Sequence, residues 1–193
     1  INVYITEMVL KCHAISKLGN ESWDDWTKVT EIMDFKVNSH IGNTLNLNIN
    51  DTFNIDKFHL IIGNPPFQEI NKNGKSKHGK SNLWTKFIEY SFKHLNINGH
   101  LLFITPTSWM GGNVSCYKQM IEKQILHLNI MDCKKHFPKV NSTFSYYLIE
   151  NADIYKNTDV ICKYNEKTYV SNILLNKNMS LIPQLLTTDS LSI

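Results

Sequence analysis

Residues 61–68 read Ile-Ile-Gly-Asn-Pro-Pro-Phe-Gln, and Asn64 to Phe67 have the makings of a site. Proline fixes φ and has no backbone N–H, so Pro65-Pro66 makes a stiff, extended exit from whatever precedes it. The proline carbonyls can still accept hydrogen bonds, and Asn64 places a side-chain carbonyl beside them. Phe67 brings a flat apolar ring one step further on. Two acceptors and a stacking plate on one rigid corner suit a planar ligand that carries an exocyclic amino group.

The chemistry follows from that pairing. The lone pair of an aromatic amine is delocalised into its ring, which makes the nitrogen a poor nucleophile. Acceptors set out of the ring plane draw the nitrogen towards tetrahedral geometry and localise the lone pair, so that it can attack a strong methyl donor held in line. No nucleophilic side chain is needed, and positioning alone supplies several kcal/mol of barrier reduction. The plain alternative is a diproline turn that only redirects the chain.

The elements around this corner must position it. Phe58–Asn64 is a continuous apolar run of the kind that forms a strand buried on both faces of a parallel sheet. The stretch 83–95 has helical spacing, with Trp84, Ile88, Phe92 and Leu95 on one stripe and Gly99 available for a left-handed cap. A second buried strand, 101–106, stops at Pro106. The pattern then predicts a helix over 114–126 and a strand over 127–132. Alternation in 142–151 and 158–165 predicts antiparallel strands or a hairpin. Upstream, 1–7 reads as a strand ending in Glu7 and 37–43 as a short strand ending near Gly42-Asn43. The stretch from 168 onward has no strong pattern, which places a catalytic domain over 1–165 and a further segment over 166–193. The order of elements predicts an α/β fold with a mainly parallel sheet and an antiparallel C-terminal hairpin. In such sheets ligands gather at the carboxyl ends of strands, where Glu7, Asn43 and Asn64 all fall.

Bulk properties narrow the class. Among 193 residues, 42% are hydrophobic and 19% charged, which excludes a disordered chain. The net charge of +3 is compatible with a polyanionic partner without demonstrating one. No apolar run reaches the roughly 18 residues of a membrane span. Cys12, Cys116, Cys133 and Cys162 are too scattered for a zinc site or a disulfide frame and read as thiols of a cytoplasmic-type compartment. No set of residues suggests a metal site. Trp109 is expected in the core.

With these residues in view, the chain resembles the amino-methyltransferases that use S-adenosylmethionine, whose catalytic motif is [DNS]-P-P-[YFW]. The resemblance is to DNA adenine-N6 methyltransferases of restriction–modification systems, and it covers about residues 1–150. It extends to the helix–strand–P-[ST]-x-W stretch ending near Gly112 and to the later strand containing Phe144.

The resemblance implies a Rossmann-like methyltransferase fold and the following roles. Asn64 and the Pro65 carbonyl hold the target amino group, and Phe67 stacks on the base. Phe144, with Phe137 as the alternative, forms the other side of the base pocket. Glu7 contacts the ribose hydroxyls of the cofactor, Met8 lies near its adenine, and Asn43 stands where the family usually has Asp. Lys75, Lys77 and Lys80 become candidates for DNA phosphate contacts, against the plain reading of a solvated loop. The implied partner is double-stranded DNA, with a fused or partner nuclease and specificity domains. Protein glutamine and ribosomal RNA guanine remain alternative substrates, and a non-catalytic nucleic-acid-binding relic remains an alternative outcome. The family's glycine-rich cofactor loop has no counterpart, since no Gly-x-Gly occurs in the chain, so the first strand and its loop are expected to be missing.

Overall fold

The computed structural model describes residues 40–67, 82–131, 142–164 and 167–184. The chain divides into two compact units, Ile1–Asn54 and Ile55–Ile193. In the first, residues 40–43 are not strand. Asn43 instead starts a 3-10 helix, Thr44–Asn46, by accepting from the Leu45 N–H. Asn48 repeats the device for α1 (Ile49–Phe53), its side chain accepting from the amides of Asn50 and Asp51. Asparagine favours such caps because its short side chain satisfies amides that a helix start leaves open. Of the strand expected over 37–43, residues 40–43 are therefore not strand, and 37–39 lie outside the described residues.

The second unit is built on β1 (Phe58–Gly63), α2 (Leu83–Lys93), β2 (Leu95–Pro106), a 3-10 helix at Thr107–Gly111, and α3 (Tyr117–Ile121). β3 (Gln124–Ile130), β4 (Phe144–Glu150), β5 (Thr158–Tyr164) and β6 (Lys167–Ile173) follow. The strands form one sheet in the order β1-β2-β4-β3-β5-β6. β1 pairs with β2, and β3 with β5, in parallel. β4 is antiparallel to both of its neighbours, and β6 is antiparallel to β5. Strands β1, β2, β3 and β5 therefore run one way, with β4 inserted against them and β5–β6 as the C-terminal hairpin.

Residues paired across strands share a face of the sheet. The rows Phe103–Tyr147–Leu128–Val160 and Thr105–Ser145–Ile130–Cys162 lie on one such face, and every member is buried. The apolar members of these rows join one core with Trp84, Ile88 and Phe92 of α2, with Trp109 and Met110 of the 3-10 helix, and with Tyr117, Met120 and Ile121 of α3. Trp84, Ile88 and Phe92 of the stripe read from the sequence form the buried side of α2, which ends at Lys93, so that the fourth, Leu95, is buried at the start of β2; Trp109 is fully buried.

Other expectations change. β1 is not buried on both faces: it lies at the edge of the sheet, with Leu60 and Ile62 exposed. The helix expected over 114–126 stops at Ile121, and its last residues belong to β3. Gln124 accounts for this. Its buried side chain accepts from the amides of Tyr155 and Lys156 and donates to the carbonyls of Ile125 and Lys156. The two alternating stretches are both strands, but β4 and β5 do not pair with each other, since β3 lies between them. Residues 167–173, expected to begin a further segment, form β6 of the same sheet, paired with β5. The left-handed residue after α2 is Asn98, φ 60, while Gly99 is needed for space: a Cβ there would meet the Asn96 carbonyl and Leu95 Cγ at 3.0 Å. Among the described residues no helix is long and apolar enough to cross a membrane.

Candidate active site

β1 enters the site as a parallel strand whose last pairing is Gly63 with Phe103. Gly63 suits this position because a Cβ would lie 3.0 Å from the Phe103 ring. Pairing ends there, and Pro65-Pro66 cannot continue it by donating backbone hydrogen bonds. The corner that results has an inside and an outside. Asn64 and Pro66 are exposed, Pro65 is buried and Phe67 is half-buried. An exposed amide beside a buried proline is an acceptor held on a fixed support and presented to solvent.

Phe67 does not swing freely. Its ring lies against Phe144, with centroids 5.1 Å apart and planes tilted by 34°. Such a pair contributes about 0.5–1.5 kcal/mol beyond the area it buries. Phe144 opens β4, opposite Pro106 at the end of β2. Thr143 and Thr107, just outside that pair, join through a backbone bond of 3.0 Å and through their hydroxyls. One residue inside, Trp109 donates its indole N–H to the Ser145 hydroxyl at 2.9 Å. The ends of β1, β2 and β4 thus meet at the diproline corner.

The structure brings Asn64, Pro65, Phe67 and Phe144 together. It does not set Phe144 across a gap from Phe67 as a second base-stacking wall. Phe144 is 0% exposed and already touches Phe67, and a purine between two rings needs a separation of roughly 7 Å, two van der Waals contacts. Asn43 lies in the other unit, exposed, with Oδ1 accepting from the Leu45 amide at 3.1 Å. Glu7, Met8, Phe137, Lys75, Lys77 and Lys80 lie outside the described residues. Sequence reading missed Thr107, Thr143 and Ser145. Partners 36 residues apart leave no local pattern, and only the P-T-S-W stretch pointed to the place.

Residues 1–137 match the Eco57I restriction-modification methylase family. The chain belongs to that family. It is also similar to a Mycoplasma pneumoniae protein described as an uncharacterized adenine-specific methylase, 29% identical over 108 residues, which are 51% of this chain and 25% of that protein. The chain therefore spans about a quarter of that relative's length. Among solved structures it is similar to a class I S-adenosylmethionine-dependent methyltransferase from Listeria monocytogenes, at 17% identity and a TM-score of 0.40, over 55% of this chain and 36% of that one. It is likewise similar to the M protein of the type I restriction enzyme EcoKI, at 16% identity and a TM-score of 0.43, over 62% and 27%.

Proposed function

We propose that the chain is the catalytic part of an enzyme that methylates the N6 amino group of adenine in DNA, using S-adenosylmethionine. The observation that carries this reading is the corner itself: an exposed Asn64 amide, a buried Pro65 and a Phe67 ring held against the core. Membership in a restriction–modification methylase family supports DNA as the substrate.

In this reading Asn64 Oδ1 and the Pro65 carbonyl accept the two N6 hydrogens, and the adenine ring lies on Phe67. The bonds draw the nitrogen lone pair out of conjugation, and the nitrogen attacks along that lone pair. One N–H proton then passes to water. The adenine must leave the duplex to reach the corner, at a cost of a few kcal/mol. Stacking on Phe67 offsets part of this, by about 1–3 kcal/mol. Duplex DNA is the partner, with nuclease and specificity parts carried on the same or a partner protein.

The cofactor, when bound, would supply a methyl group on a positively charged sulfur, which would leave as a neutral thioether with the pair of the broken carbon–sulfur bond. Of the residues expected to hold it, Asn43 is described, and it fits: Oδ1 keeps a second lone pair after accepting from Leu45 and can take an N–H from the cofactor's adenine. Lacking a charge, it does so more weakly than the family's usual Asp. Glu7 would hold the ribose hydroxyls and Met8 would lie near the adenine.

The test is methyl incorporation by the full-length protein, offered adenine-containing duplex, ribosomal RNA and release factor in parallel. The duplex should be labelled, and Asn64→Ala should abolish the label. Turnover unaffected by Asn64→Ala, or label confined to RNA or protein, overturns the reading.

A further inference from the structure

We propose that Phe144 is a positioning residue that braces Phe67 from behind and does not touch the target base. The inference rests on the methylation reading above and assigns the two rings different tasks. Phe67 is half-buried and leaves β1 on a proline-stiffened loop. Phe144 is fully buried and sits on a strand. With their centroids 5.1 Å apart, the pair has no room for a purine between them, and the base lies on the face of Phe67 turned away from Phe144.

The surroundings of Phe144 are those of a support. Its backbone pairs with Pro106, where β2 ends. Its carbonyl accepts from Met131 at 2.9 Å, just where the chain leaves β3 with a left-handed φ of 71°. On one side Thr143 is fastened to Thr107, and on the other Ser145 is fastened to Trp109. The brace is therefore tied to β2, to β3 and to the 3-10 helix, whereas the plate it supports lies beyond the end of β1, off the sheet, with one side against the core. A ring on a loop keeps its tilt only if something fixed fills the space behind it. Removing the brace lets Phe67 rotate, and the base on it loses its alignment with the acceptors at Asn64 and Pro65.

This predicts coupling between the two rings. In the full-length protein, Phe144→Leu fills most of the volume but supplies no ring. It should lower kcat about tenfold while KM for duplex DNA changes little, because misplacement costs the reacting geometry more than it costs binding. Phe67→Leu should lower kcat and raise KM. The double variant should be no worse than Phe67→Leu alone, since a brace acts only through what it braces. Additive loss, or an unchanged kcat in Phe144→Leu, overturns the inference. Should Phe144→Leu fail to fold, the unaltered protein still decides the matter. Duplex carrying 5-iodouracil at the target position should photo-crosslink to Phe67 and not to Phe144, and a Phe144 adduct overturns the brace. Asn64→Ala is run alongside. If it leaves turnover intact, the methylation reading falls and the brace with it; if it abolishes turnover while the ring variants are additive, only the brace falls.

Discussion

Trp109 donates its indole N–H to the Ser145 hydroxyl at 2.9 Å, and both side chains are 0% exposed. Indole nitrogen only donates, so this bond is its means of satisfaction inside the core, and it fastens the 3-10 helix after β2 to the strand that carries Phe144. Ser145→Ala leaves the donor buried and unmatched, at about 1–3 kcal/mol. Urea denaturation should show the unfolding free energy lower by that amount, read as a lower midpoint with an unchanged slope. Ser145→Thr should retain the acceptor and lose less. Equal stability of Ser145→Ala and the parent would show that the bond contributes nothing.

Gln124 performs a larger version of the same task at the start of β3. It is fully buried, and its amide makes four bonds to the backbone at Ile125, Tyr155 and Lys156. These hold the 153–157 connection against β3 so that β5 can pair alongside. Gln124→Leu matches the size but orphans the Tyr155 and Lys156 amides, and should cost about 2–5 kcal/mol. Hydrogen exchange read residue by residue should show those two amides losing protection. Retained protection at both would remove Gln124 from this role.

How much of this was legible in the sequence depended on whether the determinant was local. The diproline corner and the end of β1 could be read directly, because proline geometry belongs to the residue itself. The stripe of α2 could be read because three large apolar residues, Trp84, Ile88 and Phe92, recur at helical spacing. β6 could not: Lys-Thr-Tyr-Val-Ser-Asn-Ile has one large aliphatic side chain in its middle, Val170, and that is 76% exposed on an edge strand. Its pairing with β5 is a tertiary fact. Gln124 reads as the tail of a helix until its partners 31 and 32 residues away are known. Phe144 was identified as an aromatic near Phe67, yet sequence order cannot say on which side of a ring another ring lies.

Cys116 gives the protein a predictable alkaline limit. Burial pushes its thiol up from the ordinary 9.0 to about 12, and burial pushes the Tyr147 phenol in the same direction. Between pH 9 and 12 the unfolded chain releases the cysteine proton while the folded chain keeps it. The folded state then binds more protons, so stability is fully present below pH 9 and is lost as the pH rises through that window. Melting temperature should be flat up to about pH 9 and fall beyond it, and Cys116→Ala should flatten the fall. At about pH 8 the Cys116 peptide should resist iodoacetamide until denaturant is added. Rapid labelling of the native protein would contradict the burial argument.

At Asn64 the chemistry can be separated from the shape. The motif this corner resembles admits Asp as well as Asn, and both present an oxygen to the amino group. Asn64→Asp should therefore keep measurable methyl transfer in the full-length protein, whereas Asn64→Leu, close in size but with no acceptor, should lower kcat by about 10²–10³, the usual cost of losing one preorganised polar contact to the reacting group. Binding of duplex DNA should change little in either variant, because most of that affinity comes from phosphate contacts. Since Asn64 is exposed, neither change should shift the melting temperature by more than a degree or two, roughly the ±0.5 kcal/mol of surface substitutions. The decisive measurement is the ratio of the two turnover rates. If Leu performs as well as Asp, the side-chain oxygen is not what activates the amine, and the corner serves only to shape the chain.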